Sequence, residues 1–156
     1  MITKYRAKAT KLPEGLRVET ESRNFKISID EPKSLGGENK SMSPVEVLLC
    51  ALGGCQAIVA SAFAEAHDVK FDDFHVEIEG DIDLDGFMGK SLVRPGFQEI
   101  RYTMHFKTSE PREKILRFVE FMEKTCPVGD SIENEVKLVN SLRPDHLIIH
   151  SNFHCL

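Results

Sequence analysis

The stretch 43–64, SPVEVLLCALGGCQAIVASAFA, decides how the rest of the chain is read. Ser43 can cap a helix, Pro44 suits the first helical position, and Glu46 stands third, so these residues predict a capping box. From Val47 to Ala64 there follow 18 residues without a charge, bounded by Glu46 and Glu65. That length is the lower limit for crossing a bilayer. Its richness in Ala and Gly, the polar Gln56 and Ser61, and the lack of a second span or cationic loop argue instead for a soluble protein. The expectation is a helix to about His67, buried on all sides, with no membrane association.

Outward from this helix the pattern changes to period two. Phe25, Ile27 and Ile29 alternate with polar neighbours, after a turn at Leu12-Pro13-Glu14-Gly15, and residues 32–42 (PKSLGGENKSM) read as a loop. Downstream, Phe74, Val76 and Ile78 alternate with His75, Glu77 and Glu79. After a Gly-containing loop near 85–96, Ile100, Tyr102, Met104 and Phe106 alternate again. Pro111 opens a second helix with Ile115, Leu116, Phe118, Val119 and Met122 on its inward side. Glu110–Lys114, Glu113–Arg117 and Glu120–Lys124 are spaced to support it. Pro127 interrupts that helix after Cys126, and a short helix restarts there. Val136, Leu138 and Val139 suggest a last strand, and Leu147, Ile148 and Ile149 a strand or docking tail. Strands, buried helix, strands, helices, strand is the order of an α+β fold, expected as a single domain over 1–156.

Charge and composition exclude several functions. The balance of 29% charged residues and net charge −5 is ordinary for a globular chain and offers no basic surface for nucleic acid. The N-terminal MITKYRAKATKLPEG carries Lys4, Arg6, Lys8 and Lys11 without an apolar stretch, so no signal peptide is expected and the location is read as cytoplasmic. Four cysteines, at 50, 55, 126 and 155, are too few and scattered for a disulfide scaffold, and none lies in a zinc-ligand spacing. His146, His150 and His154 recur every four residues, but the strand-like Leu147-Ile148-Ile149 breaks a helical ligand set. His67, His75 and His105 show no partner pattern, and no metal site is assigned.

Two cysteines stand where chemistry is possible. Cys55 follows Gly53-Gly54 inside the apolar helix, where each glycine costs about 1 kcal/mol relative to alanine. Either the glycines admit another backbone and Cys55 is a small buried hydrophobe, or they leave room for a substrate beside a reactive sulfur. Cys126, just before Pro127-Val128, falls at a helix N-terminus, whose dipole favours thiolate and can lower a thiol pKa. Cys50, about 140° around the helix from Cys55, is assigned to the core, and Cys155 to a bystander role near the chain end.

Ser43-Pro44-Val45-Glu46-Val47-Leu48-Leu49, Ala51-Leu52-Gly53-Gly54-Cys55, and Cys126-Pro127-Val128 about 70 residues later together resemble the OsmC/Ohr family of osmotically inducible and organic-hydroperoxide-resistance proteins. The Ser34-Leu35-Gly36-Gly37 loop before the helix extends the likeness. The resemblance implies antiparallel sheets wrapped around long central helices in an intertwined homodimer. It also implies a thiol peroxidase for organic hydroperoxides and H₂O₂, with Cys55 as peroxidatic and Cys126 as resolving cysteine. A dithiol would be the reductant, with no metal, flavin or haem. Family peroxidases activate the sulfur with a Glu directly after the motif proline and an N-terminal Arg. Here Val45 follows Pro44, and Glu46 lies one position on, about 100° around the helix and about 13 Å along it from Cys55. Glu46 is therefore read first as a helix cap. Arg17 is the candidate activating cation and Arg23 the second choice. The incomplete motif keeps an alternative open: an OsmC-like redox-responsive or ligand-binding protein without efficient turnover.

Overall fold

A computed structural model describes residues 1–141. The capping box forms as expected: the Ser43 hydroxyl accepts the Glu46 N–H at 3.4 Å, and Glu46 Oε2 accepts the Ser43 N–H at 2.7 Å. Pro44 sits inside the first turn, and helix α1 runs Pro44–Phe63. It ends four residues short of His67. A 3₁₀ turn over Glu65–His67 follows, and Asp68 in the left-handed region (φ 52°) stops it.

Strands β1 (Lys8–Lys11), β2 (Val18–Ser22) and β3 (Phe25–Ile29) form an antiparallel sheet in that order. Strands β4 (Asp73–Ile82) and β5 (Phe97–Lys107) form a separate antiparallel pair, with a short helix α2 (Leu84–Phe87) in the connection that the sequence presents as loop. In β4 the pleat turns Phe74, Val76 and Ile78 inward and leaves His75, Glu77 and Glu79 exposed. Helices α3 (Arg112–Thr125) and α4 (Pro127–Glu133) close the described chain. Phe118 and Met122, four apart on α3, meet Val59 and Ala60 of α1 and Val69 in the buried centre, and Phe74 and Phe106 pack around them. Full burial of side chains such as Phe118 and Met122 contributes about 1.5–3 kcal/mol each. Of the three helix-stabilising pairs, Glu110–Lys114 closes at 3.0 Å, and Lys114 also reaches Asp68 at 3.1 Å.

Three expectations are corrected. Helix α1 is not buried on all sides in the single chain: only Leu52, Gln56, Val59 and Ala60 are buried, while Ile58 is 70% exposed. The reason is that β4, α3 and α4 cover one side of it only. By length and composition it remains the one described helix apolar enough to cross a membrane. Cys50, expected in the core, is exposed on the uncovered side, its sulfur 3.7 Å from Met42 Sδ. No strand forms at Val136–Val139, where Leu138 is 94% exposed. A strand exists by its ladder, and neither described sheet pairs with that segment. His146, His150, His154, Cys155 and the 147–149 tail lie outside the described residues.

The loop into α1 is held by a buried carboxylate. Asp30 Oδ2 accepts the backbone N–H groups of Lys40 (3.0 Å) and Glu38 (3.2 Å), and the Lys40 bond, first among its causes, holds the carboxyl below the usual range. Gly37 is required in this loop because a Cβ there would lie 1.9 Å from the Glu31 carbonyl oxygen.

Candidate functional site: a paired thiol at the junction of three helices

The glycine pair before Cys55 does two different things. A Cβ on Gly53 would stand 3.0 Å from Ile78 Cδ1, so this glycine lets β4 pack closely, through a side chain rather than a backbone. Gly54 has no atom within 4 Å of its missing Cβ. The shallow groove over both glycines is bordered by Cys50, not by Cys55. Cys55 itself is half-buried and packs against the central apolar cluster.

Cys126 comes to it from the other end of the fold. The residue before a proline is driven out of the helical region, and Cys126 is extended (φ −72°, ψ 107°), ending α3 and capping α4 at once. Its sulfur accepts the Gly129 N–H at 3.3 Å. It is 1% exposed. The Cys55 thiol lies beside it, close enough for a side-chain interaction between the two. The expected helix-end lowering of the Cys126 pKa is overturned: burial, reinforced by the neighbouring Cys55 thiol, pushes it up, outweighing the Gly129 and Val128 N–H groups. A one-residue cap on a short helix supplies a local field, whereas desolvation acts on the whole thiolate.

A cleft of about 250 Å³ opens onto Cys126. Leu52, Gln56 and Tyr102 line it, with Glu123 and Glu133 among its acidic groups. Burial raises the Tyr102 phenol to about 12, helped by its hydrogen bond to Glu123 Oε1 at 2.8 Å. Gln56 is buried, and its Oε1 has no partner among the described residues, an unmet acceptor at the cleft wall. Sequence reading passed over Tyr102 and Gln56. Their signal was a phenol on an inward strand position and a lone amide in an apolar helix, both of which demand a partner.

The other two candidate residues differ: Glu46 is engaged elsewhere, and Arg17 is not. Glu46 closes the capping box and also accepts the Ser43 hydroxyl at 3.0 Å. Arg17 is half-buried beside Asp30, whose carboxyl its charge helps to lower, and its Nε has no partner among the described residues. Arg23 lies over the Phe25 ring, 4.9 Å from the centroid, as a cation–π contact. Within one chain the fold thus unites the two thiols, commits Glu46 to the capping box and leaves Arg17 near Asp30 with its Nε unpartnered among the described residues.

An α+β fold of separate antiparallel sheets, with one thiol on its central helix and a second at a helix break, defines a class of two-cysteine proteins. The model of the family described as OsmC-like protein matches residues 37–140, and the chain belongs to that family. It is 27% identical over 115 residues to the hydroperoxide reductase of Mycoplasma genitalium, covering 71% of this chain and 74% of that protein. Among solved structures it is similar to an OsmC-like protein from Mycoplasma pneumoniae, with a TM-score of 0.74 and 22% identity over 85% of this chain and 89% of that one. An organic hydroperoxide resistance protein from Legionella pneumophila superposes with a TM-score of 0.65 and 18% identity, over 85% and 90% of the two chains.

Proposed function

We propose that the chain is a thiol-dependent peroxidase that reduces organic hydroperoxides, with Cys55 as nucleophile and Cys126 as resolving thiol. The observation that carries this reading is the adjacency of two thiols about 70 residues apart in sequence. The similarity to a hydroperoxide reductase supports a peroxide-related redox role. The division of labour follows from exposure. Half-buried Cys55 can meet a peroxide, whereas Cys126, 1% exposed and with its pKa raised, stays protonated at neutral pH. The Cys55 thiolate attacks the distal peroxide oxygen, the O–O bond breaks, and with one proton the products are an alcohol and Cys55 sulfenic acid. Cys126 sulfur then attacks Cys55 sulfur, its proton leaves with the hydroxide as water, and a disulfide remains. An external dithiol restores both thiols. The Glu123 and Glu133 carboxylates of the cleft over Cys126 favour neutral over anionic peroxides.

The same reading includes a cytoplasmic homodimer. Ile58, Val45 and Leu48, at 70%, 41% and 39% exposure, leave apolar surface of α1 uncovered that a second copy would bury. Sedimentation equilibrium is expected to give twice the chain mass of 17.6 kDa.

A second reading is favoured by the engagement of Glu46 with Ser43 in the capping box, which leaves that carboxylate unable to activate Cys55. It is a redox-responsive or ligand-binding protein without efficient turnover. Stopped-flow consumption of cumene hydroperoxide by the reduced chain separates the two. Rapid loss of peroxide, abolished in Cys55→Ser, supports the peroxidase; a negligible wild-type rate, or an unchanged rate in the variant, rejects it.

A further inference from the structure

We propose that the outer face of the β4–β5 hairpin carries a zinc-class divalent metal site built from His75, His105 and Glu77. Register creates it. His75 stands directly opposite His105, and the two imidazoles stack with centroids 4.5 Å apart and planes 10° from parallel. Glu77, two residues along β4, shares that face, and its Oε2 lies 3.1 Å from His105 Nε2. The ligand atoms of all three residues lie within 4.8 Å of one another.

The spacing suits a small cation. Tetrahedral zinc holds its nitrogen and oxygen ligands at about 2.0–2.2 Å, which places neighbouring ligand atoms about 3.3–3.6 Å apart. The Glu77–His105 pair is already near that separation, and the exposed His75 ring must swing out of its stack on His105 to aim Nε2 at the same ion. Asp73 Oδ2 lies 3.8 Å from His75 Nδ1, so a carboxylate stands behind the ring and leaves Nε2 for the metal. Two imidazoles and a carboxylate select zinc, copper or nickel over magnesium and calcium, and leave a fourth position for water.

The rest of the face reinforces the choice. Arg101 binds Glu79 at 2.8 Å, Asp81 at 2.6 Å and Glu99 at 2.8 Å, so the acidic groups at that end already have a cation. At the His75 end Lys107 stands opposite Asp73, and among the described residues it forms no ion pair with Glu77. This site is also independent of the thiols, because Phe74 and Val76 point through the sheet to the other side. A bound ion would tie β4 to β5 across the register.

The test is calorimetric titration of the full-length chain with ZnCl₂, in a Cys50→Ser, Cys55→Ser, Cys126→Ser, Cys155→Ser background free of competing thiols. One equivalent per chain is expected. His75→Gln and His105→Gln should each weaken binding at least about tenfold, as even outer-sphere changes do at zinc sites. Joint replacement of His146, His150 and His154 by Gln should leave it unchanged. In the wild-type chain, zinc-induced shifts of imidazole resonances should concentrate on His75 and His105, which covers the case in which the cysteine-free background fails to fold. Zinc affinity unchanged in both histidine variants, loss of binding with the 146/150/154 variant, or no saturable binding below millimolar zinc overturns the proposal.

Discussion

Oxidation of Cys55 and Cys126 to a disulfide should stabilise the fold by an amount set by the chain path between them. The bridge would close a loop of about 70 residues. In the chain-entropy account such a loop removes about 15 cal/mol/K from the unfolded ensemble, or about 4 kcal/mol at 25 °C. Native strain subtracts from that figure, and the two thiols interact across α1 and the α3–α4 break. With about 2.1 cal/mol/K of unfolding entropy per residue over 156 residues, 4 kcal/mol corresponds to about 12 °C in Tm. The assay is differential scanning calorimetry before and after one equivalent of cumene hydroperoxide. The wild-type Tm should rise by about 10 °C, return on treatment with dithiothreitol, and show no comparable rise in Cys126→Ser. An equal rise in that variant, or loss of two thiols per chain without any rise, would refute the adjacency on which the reasoning depends.

Three further outcomes follow from the same geometry. Because burial raises the folded-state pKa of Cys126, the native state keeps that proton longer than the unfolded chain. Its contribution is therefore complete below the ordinary thiol pKa of about 8.5 and is lost as pH rises through the folded value. Urea midpoints of the reduced protein should fall above about pH 8.5 and flatten in Cys126→Ala; Tyr102, raised to about 12, adds a loss of the same sign above pH 10 that Tyr102→Phe removes. Ser43→Ala should cost about 1 kcal/mol in urea unfolding, since it removes the acceptor of the Glu46 N–H and one side of the capping box. Gly37→Ala should cost at least about 2 kcal/mol, because the added Cβ meets the Glu31 carbonyl at 1.9 Å and the backbone itself must move. A change within 0.5 kcal/mol would show that the loop is not held as described.

What could be read before the fold was known divides by the range of the cause. The start of α1 was legible because a capping box is closed by residues three apart, and Ser43, Pro44 and Glu46 carry all of it. The alternation of β4 was legible for the same reason. The pairing of Cys55 with Cys126 was accessible only through family resemblance, because no local signal joins residues about 70 apart. Cys126 shows how local reasoning fails: a helix N-terminus lowers a thiol pKa, but the burial that reverses the sign belongs to the packed core. Gly53 and Gly54 looked alike in sequence, and only the position of Ile78 separates a glycine required by packing from one facing open space.

The histidines of the hairpin sit between these cases. His75 falls on the exposed phase of β4 and the half-buried His105 on the matching phase of β5, and neither alone marks a site. Their meeting depends on register: from Asp73 opposite Lys107 to Asp81 opposite Glu99, the strands pair symmetrically about residue 90, with irregularity only at Asp81/Ile82. The lysine and glycine at 89–90 sit at the centre of the connection that was legible as loop. A hairpin folded about that centre places His75 on His105 and Glu77 on the same face. The information was therefore present in the sequence, but only once the two strands were read as one element. A register shift of one residue would send either histidine to the core face, so the proposed metal site and the packing of Phe74, Val76 and Ile78 under α1 depend on the same alignment.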